Sequence, residues 1–201
     1  MNTRVMTKLY SESLSDDEVK KLPLLHFDGK VTLVDNMETF YRVIDNIGRS
    51  GLVGFDTETR PSFRKGRRNT VSLLQLANAG NAWLFRLNMI GLPPELAALL
   101  ADDSLRKVGV AIHDDIKALR TVSPFEPGGF VDLQNVVAGY GIKQLGLRKL
   151  SAIVLGYRIS KSQQVSNWEA PVLTESQLLY AATDAWVCRQ IYLALNGRQD
   201  R

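Results

Sequence analysis

The chain has 201 residues, 45% hydrophobic and 23% charged, with 25 Lys and Arg against 21 Asp and Glu and a formal net charge of +4. That balance excludes a disordered chain and favours one folded domain around a sizeable core, while the mild positive charge permits a polyanionic partner. One cysteine, Cys188, and two histidines, His26 and His113, exclude an internal disulfide framework and argue against a cysteine- or histidine-rich metal centre. No apolar run is long enough to cross a bilayer, and residues 1–19 lack the apolar core of a secretory signal. A cytoplasmic location and no membrane partner are therefore expected.

Residues 1–22 are polar and are expected to form an extension, in which SDDE, Ser15 to Glu18, matches a capping box opening a short helix. A single domain is expected over 23–201. Within it, residues 31–35 read as a strand, and Met37, Phe40, Tyr41, Ile44 and Ile47 form the apolar stripe of a helix that stops at Gly48. Residues 51–59 form the next strand, and 70–78 and 81–87 are strands of a hairpin turned by Ala-Gly. A helix with prolines at its start covers 93–102, a buried strand 106–112 and a helix 114–122. A short strand running into a helix covers 128–141, and another helix 145–156. A long helix closes the chain over 174–197, with Thr174 as N-cap and Gly197 beyond its end. An early hairpin followed by alternating strands and helices predicts an α/β fold, a mixed β-sheet flanked by α-helices. The chain has neither G-x-G-x-x-G nor G-x-x-x-x-G-K-[ST], so no nucleotide cofactor is expected.

The chemistry begins at LVGFDTETRP, residues 52–61, where an apolar strand ends in Asp56 and Glu58. Residues i and i+2 of a strand share a face, so these carboxylates repel unless a cation separates them or both face water. Asp16 and Glu18 repeat the spacing in a polar stretch where water can solvate them. In YAATD, Tyr180 and Asp184 share one face of a helix, and Ala181, Ala182 and Ala185 allow that helix to approach the sheet closely. Tyr41 and Asp45 repeat that spacing as well, with Tyr41 on an apolar stripe and Asp45 at its solvated edge. In VGVAIHDDIKAL, residues 108–119, a buried strand meets a helix. Asp114 is assigned to the N-cap, which leaves Asp115 near the C-terminal edge of the sheet. Four converging carboxylates would repel, and some would stay protonated unless cations intervene. Two hard divalent cations, Mg2+ or Mn2+, suit an all-oxygen set, and a pair about 3.5–4 Å apart serves phosphoryl transfer.

FDTET, the Asp of VGVAIHDDIKAL and YAATDAW, in that order, resemble the three exonuclease motifs of the DEDD superfamily, and Tyr180 resembles the mark of its tyrosine-type (DEDDy) branch. SNWEAPVLTESQLLYAATDAW, residues 166–186, is similar to RNase D and to the exonuclease domain of Werner-type helicases, and the similarity runs over roughly residues 30–195. The resemblance implies a ribonuclease-H-like fold and stepwise, metal-dependent 3′-to-5′ hydrolysis of single-stranded DNA or RNA to nucleoside monophosphates. It implies that Asp56 bridges both cations and that Glu58 and Asp184 hold the one presenting the attacking water. Asp115 would hold the other, with Asp114 as the alternative for this motif, and Tyr180 would orient the water. The sequence resembles a stand-alone exonuclease domain.

RPSFRKGRRN, residues 60–69, follows directly with Arg60, Phe63, Arg64, Lys65, Arg67 and Arg68. Such a run is by default a solvated loop, but its position makes Arg64, Lys65, Arg67 and Arg68 candidate phosphate contacts and Phe63 a candidate base-stacking residue. Thr57 and Thr59 are further candidate nucleic-acid contacts, as are Lys161 and Ser162, which resemble the family's segment facing the strand. Trp168 reads as core with its N–H satisfied, Trp83, Trp186 and Cys188 as core, His113 as a packed junction residue and Asp132 as a helix cap. A non-catalytic nucleic-acid-binding module and a metal-dependent endonuclease are the competing readings. The intact carboxylate set disfavours the first, and Tyr180 the second.

Overall fold

Alternation along the central strands divides the protein into two layers around one sheet. A computed structural model describes residues 10–60 and 70–197; the candidates Phe63, Arg64, Lys65, Arg67 and Arg68 lie outside the described residues. The strands are β1 (Lys30–Val34), β2 (Leu52–Thr59), β3 (Val71–Ala77), β4 (Asn81–Arg86), β5 (Arg106–Gly109) and β6 (Phe130–Asp132), in the spatial order β1-β4-β3-β2-β5-β6. β2–β3 and β3–β4 pair antiparallel, and β1–β4, β2–β5 and β5–β6 pair parallel. This is the mixed α/β sheet expected, with the hairpin at its centre.

The helices are α1 (Asp16–Lys21), α2 (Met37–Gly48), α3 (Leu87–Ile90), α4 (Pro94–Ala101), α5 (His113–Val122), α6 (Leu133–Ala138), α7 (Leu147–Leu150) and α8 (Glu175–Leu195). On one face, Val53, Phe55, Leu74, Leu76 and Phe85 pack against Phe40, Ile44 and Ile47 of α2, Leu96 and Leu100 of α4 and Leu119 of α5. The opposite face, with Leu73, Ala77, Ala82 and Leu84, carries α8 through Ala181, Ala182 and Ala185. The approach is close: a Cβ on Gly54 would lie 1.7 Å from the Ala185 carbonyl oxygen. The small residues around Asp184 and the glycine before Asp56 therefore serve one contact, which brings α8 down onto β2. Thr174 and Gln177 form a capping box that fixes where α8 begins.

Several local expectations are corrected. The strand predicted over 106–112 stops at Gly109, because Ala111 takes a left-handed conformation with φ 57°. Such a conformation costs an L-residue about 1 kcal/mol or more. Here the Asp132 carboxylate accepts from the N–H groups of Ala111 (3.1 Å) and Ile112 (3.2 Å) and holds the bend. Asp132 also caps α6, as expected, by accepting from Gln134 N–H at 2.9 Å. The bend starts α5 one residue early, with Ile112 at the N-cap and no side-chain cap. Asp114 is therefore not the N-cap; it lies in the first turn, where its charge complements the helix dipole. His113, the first residue of α5, is exposed rather than packed. Tyr41 is 57% exposed, so the buried stripe of α2 is the narrower Phe40, Ile44 and Ile47. The helix predicted over 145–156 is α7 followed by a π-helical turn, Ser151–Leu155, which ends at Gly156 with φ 78°.

Residues 10–22 of the polar N-terminal segment lie against residues 143–158. The expected capping box is present at Ser15 and Glu18. Val19 is fully buried, Leu14 N–H donates to the Gln144 side chain, and Lys149 Nζ donates to the Leu14 carbonyl at 2.7 Å.

Candidate active site

β2 presents Asp56 and Glu58 to the α8 side of the sheet, and α8 returns Asp184 to the same place. One carboxylate oxygen from each of the three lies within 4.8 Å of the others. The pairing of β2 with β3 shifts register between Glu58 and Thr59, an irregularity of the kind that re-aims side chains beside sites. Tyr180, one helical turn before Asp184, stands close enough that each acts on the other's pKa. The Tyr180 ring is 6.0 Å from that of Trp168.

Asp115 arrives from the opposite layer. It sits in the first turn of α5, and Thr57, which alternates to that face of β2, donates its hydroxyl to Asp115 Oδ1 at 2.5 Å. Asp115 is outside the group of three, yet its charge raises the pKa of both Asp56 and Glu58. The sheet end is thus straddled, three carboxylates from above and one from below.

Burial dominates the electrostatics, and mutual repulsion adds to it. Burial and then the charges of Asp184, Glu58 and Asp115 push Asp56 well above the usual carboxylate range. Glu58 is raised to about 8 by burial, Asp184 and Asp115, against a lowering contact with Trp168. Asp184 is raised to about 7 by burial, offset by the Tyr180 hydroxyl. Asp115 is raised by burial and pulled back by Thr57. Tyr180 is raised by burial and the neighbouring carboxylates, which keep it a neutral phenol. All the donors are oxygens, several per site, so the set fits a hard divalent cation far better than zinc.

Trp168 is fully buried, in keeping with a core role, but its N–H is not satisfied as expected. It has no hydrogen-bond partner among the described residues, while its N–H lowers the Glu58 pKa. A cavity of about 570 Å3 opens over the carboxylates, lined by Asp56, Glu58, Tyr180 and Asp184 and by Lys161. Ser162 lines an adjoining cavity of about 190 Å3, again beside Tyr180 and Asp184. Thr59 is exposed beyond the register shift, and the Thr57 hydroxyl is engaged by Asp115.

Sequence reasoning missed three residues at this place. Arg148 and Lys149 line the large cavity, but in the sequence they fall within the helix expected over 145–156 and belong to no motif. Gln75 is paired opposite Asp56 and fully buried, and both its amide atoms are without partners among the described residues. A glutamine in the middle of the apolar run SLLQLA was a visible signal.

Comparison with known proteins agrees with this geometry. A family model described as 3′-5′ exonuclease matches residues 31–198. The chain is 40% identical over 148 residues to exonuclease 3′-5′ domain-containing protein 2 of Drosophila melanogaster, covering 72% of this chain and 25% of that protein. It is 31% identical over 190 residues to the bifunctional 3′-5′ exonuclease/ATP-dependent helicase WRN of Mus musculus, covering 89% of this chain and 14% of that protein. The chain thus spans a quarter or less of these relatives. The crystal structure of the Aedes aegypti Nibbler EXO domain superposes with a TM-score of 0.77 at 28% identity, covering 86% of this chain and 90% of that one.

Proposed function

The chain belongs to the 3′-5′ exonuclease family, and on that premise we propose that it hydrolyses the 3′-terminal phosphodiester of single-stranded DNA or RNA with two divalent cations, Mg2+ or Mn2+, releasing nucleoside monophosphates. The convergence of Asp56, Glu58 and Asp184 carries this reading. In it, Asp56, Glu58 and Asp184 would hold one cation, and Asp115 with Asp56 would hold the other. Cations held there would supply a lowered pKa for the attacking water and charge neutralisation at the leaving oxygen.

The side chains supply position and electrostatics. Tyr180, kept neutral, orients the water through its hydroxyl and does not take its proton, which fits the tyrosine-type branch. Thr57 holds the Asp115 carboxylate in one orientation. Lys161, Ser162, Thr59 and the basic run with Phe63, Arg64, Lys65, Arg67 and Arg68 are assigned to the strand, the cations to phosphates and Phe63 to a base. The unit that acts is the domain 23–201, preceded by the polar segment 1–22. Its single cysteine is a buried free thiol, in keeping with a cytoplasmic place of action.

The test is digestion of DNA and RNA single strands labelled at the 5′ end, in Mg2+, Mn2+ or EDTA. A ladder shortening one nucleotide at a time, abolished by EDTA and by Asp56→Asn, is expected. Metal-independent cleavage, or no cleavage of either strand type by the wild type, would overturn the reading. Cleavage of a circular single strand would make the protein an endonuclease.

A further inference from the structure

A carboxylate of the N-terminal segment stands inside the wall of the catalytic cavity. Asp16, the first residue of α1, lines the same 570 Å3 space as Asp56, Glu58 and Asp184. Lys149 Nζ holds it at 2.9 Å, and Arg148 Nη1 lies 4.0 Å away. Lys149, Arg148 and Lys161 together lower its pKa, the hydrogen bond from Lys149 most of all. The two partners on α7 are only 21–22% exposed, whereas the Asp16 side chain is 67% exposed.

The arrangement is unequal in a telling way. Arg148 has a buried Nε with no hydrogen-bond partner among the described residues. A guanidinium offers a planar fork of donors suited to two oxygens of one phosphate. Asp16 reaches only one nitrogen of that fork, at long range, so the seat is larger and better equipped than its occupant requires. The rest of the segment is anchored independently by buried Val19, by Leu14 N–H to Gln144 and by the Lys143–Glu12 ion pair. Asp16 can swing out into water without α1 leaving.

We propose that Arg148, Lys149 and Lys161 form a seat for a backbone phosphate of the strand entering the site, and that Asp16 fills this seat in the free protein, so the N-terminal segment competes with substrate. Naming the ligand a nucleic-acid phosphate rests on the exonuclease reading above. The acidic occupant screens three cations until a polyanion displaces it, which favours strands that bring several phosphates over single anions.

The test is fluorescence anisotropy with a 5′-labelled oligothymidylate and a 5′-labelled oligouridylate in EDTA, where binding is read without turnover. Asp16→Asn should bind about two- to five-fold tighter than wild type, the scale of releasing one exposed ion pair. Its log–log salt slope should steepen by about 0.7, one phosphate contact on a single strand. Arg148→Gln/Lys149→Gln should bind more weakly and erase the gain from Asp16→Asn, with thermal melts confirming that each variant is folded. Arg148→Lys, which keeps the charge but loses the fork, should fall between. Unchanged or weaker binding by Asp16→Asn, a gain that survives in the Arg148→Gln/Lys149→Gln background, or no oligonucleotide binding by any form would overturn the proposal. Turnover in Mn2+ is measured separately: wild-type inactivity with the Asp16→Asn gain intact would sink the exonuclease reading alone, and normal turnover without that gain would sink the phosphate seat alone.

Discussion

Raising the pH destabilises the cation-free protein, and Glu58 sets the scale. Its carboxyl has an ordinary pKa of 4.5 and is raised to about 8 in the fold. Between those values the folded state binds more protons than the unfolded state, so stability falls as pH rises. It is fully present below about pH 4.5, and the loss is complete above about pH 8. At 1.36 kcal/mol per pKa unit the whole change is on the order of 5 kcal/mol, of which about 4 kcal/mol falls between pH 5 and pH 8.5. Asp184, raised to about 7, repels Glu58, so the two protonations are not independent and the loss is not doubled. For a chain of this size 1 kcal/mol moves Tm by about 2–4 °C, which makes the expected fall about 8–16 °C between pH 5 and pH 8.5. Thermal melts followed by circular dichroism in EDTA measure it, with Glu58→Gln as the comparison. The neutral amide should flatten the profile, and the wild-type fall should be reversed by Mn2+. A wild-type Tm that stays level or rises across this range, or a Glu58→Gln profile as steep as the wild type's, would refute the electrostatic account.

Three other outcomes follow from single contacts. Gly54→Ala should cost about 3 kcal/mol, the upper range for overpacking, because its Cβ meets the Ala185 carbonyl at 1.7 Å; a Tm within 2 °C of wild type, by about the same conversion, would show that α8 can retreat. Thr57→Val removes the hydroxyl that donates to Asp115, a charge-assisted bond of about 1.5–3 kcal/mol, and the acid limb of the metal-dependent rate should move up by about one to two pH units; an unmoved limb would remove Thr57 from the site. Tyr180→Phe should slow turnover about 100-fold while leaving Mn2+ affinity unchanged, and full activity in that variant would contradict its positioning role.

The periodic parts of the fold were legible in the chain, and so were the three carboxylates presented by regular elements. Asp56 and Glu58 follow from strand alternation, and Tyr180 and Asp184 from helical spacing beside alanines. What was not legible depended on tertiary hydrogen bonds. The bend at Ala111 is held by Asp132, a residue 21 positions away, so neither the early end of β5 nor the displacement of Asp114 from the N-cap could be read locally. The link from Thr57 to Asp115 spans 58 positions and joins the sheet to the helix layer opposite α8. Arg148 and Lys149 carry no motif at all. They become part of the site through tertiary packing, which sets α7 beside residues 14–16 at the cavity wall.

The central claim is that acidic groups from β2, α5 and α8 together hold divalent cations, and anomalous scattering from crystals soaked in Mn2+ tests it most directly. Two peaks about 3.5–4 Å apart are predicted, one bounded by Asp56, Glu58 and Asp184 and the other between Asp56 and Asp115. Crystals that take up Mn2+ elsewhere, with no peak within bonding distance of Asp56, would contradict it.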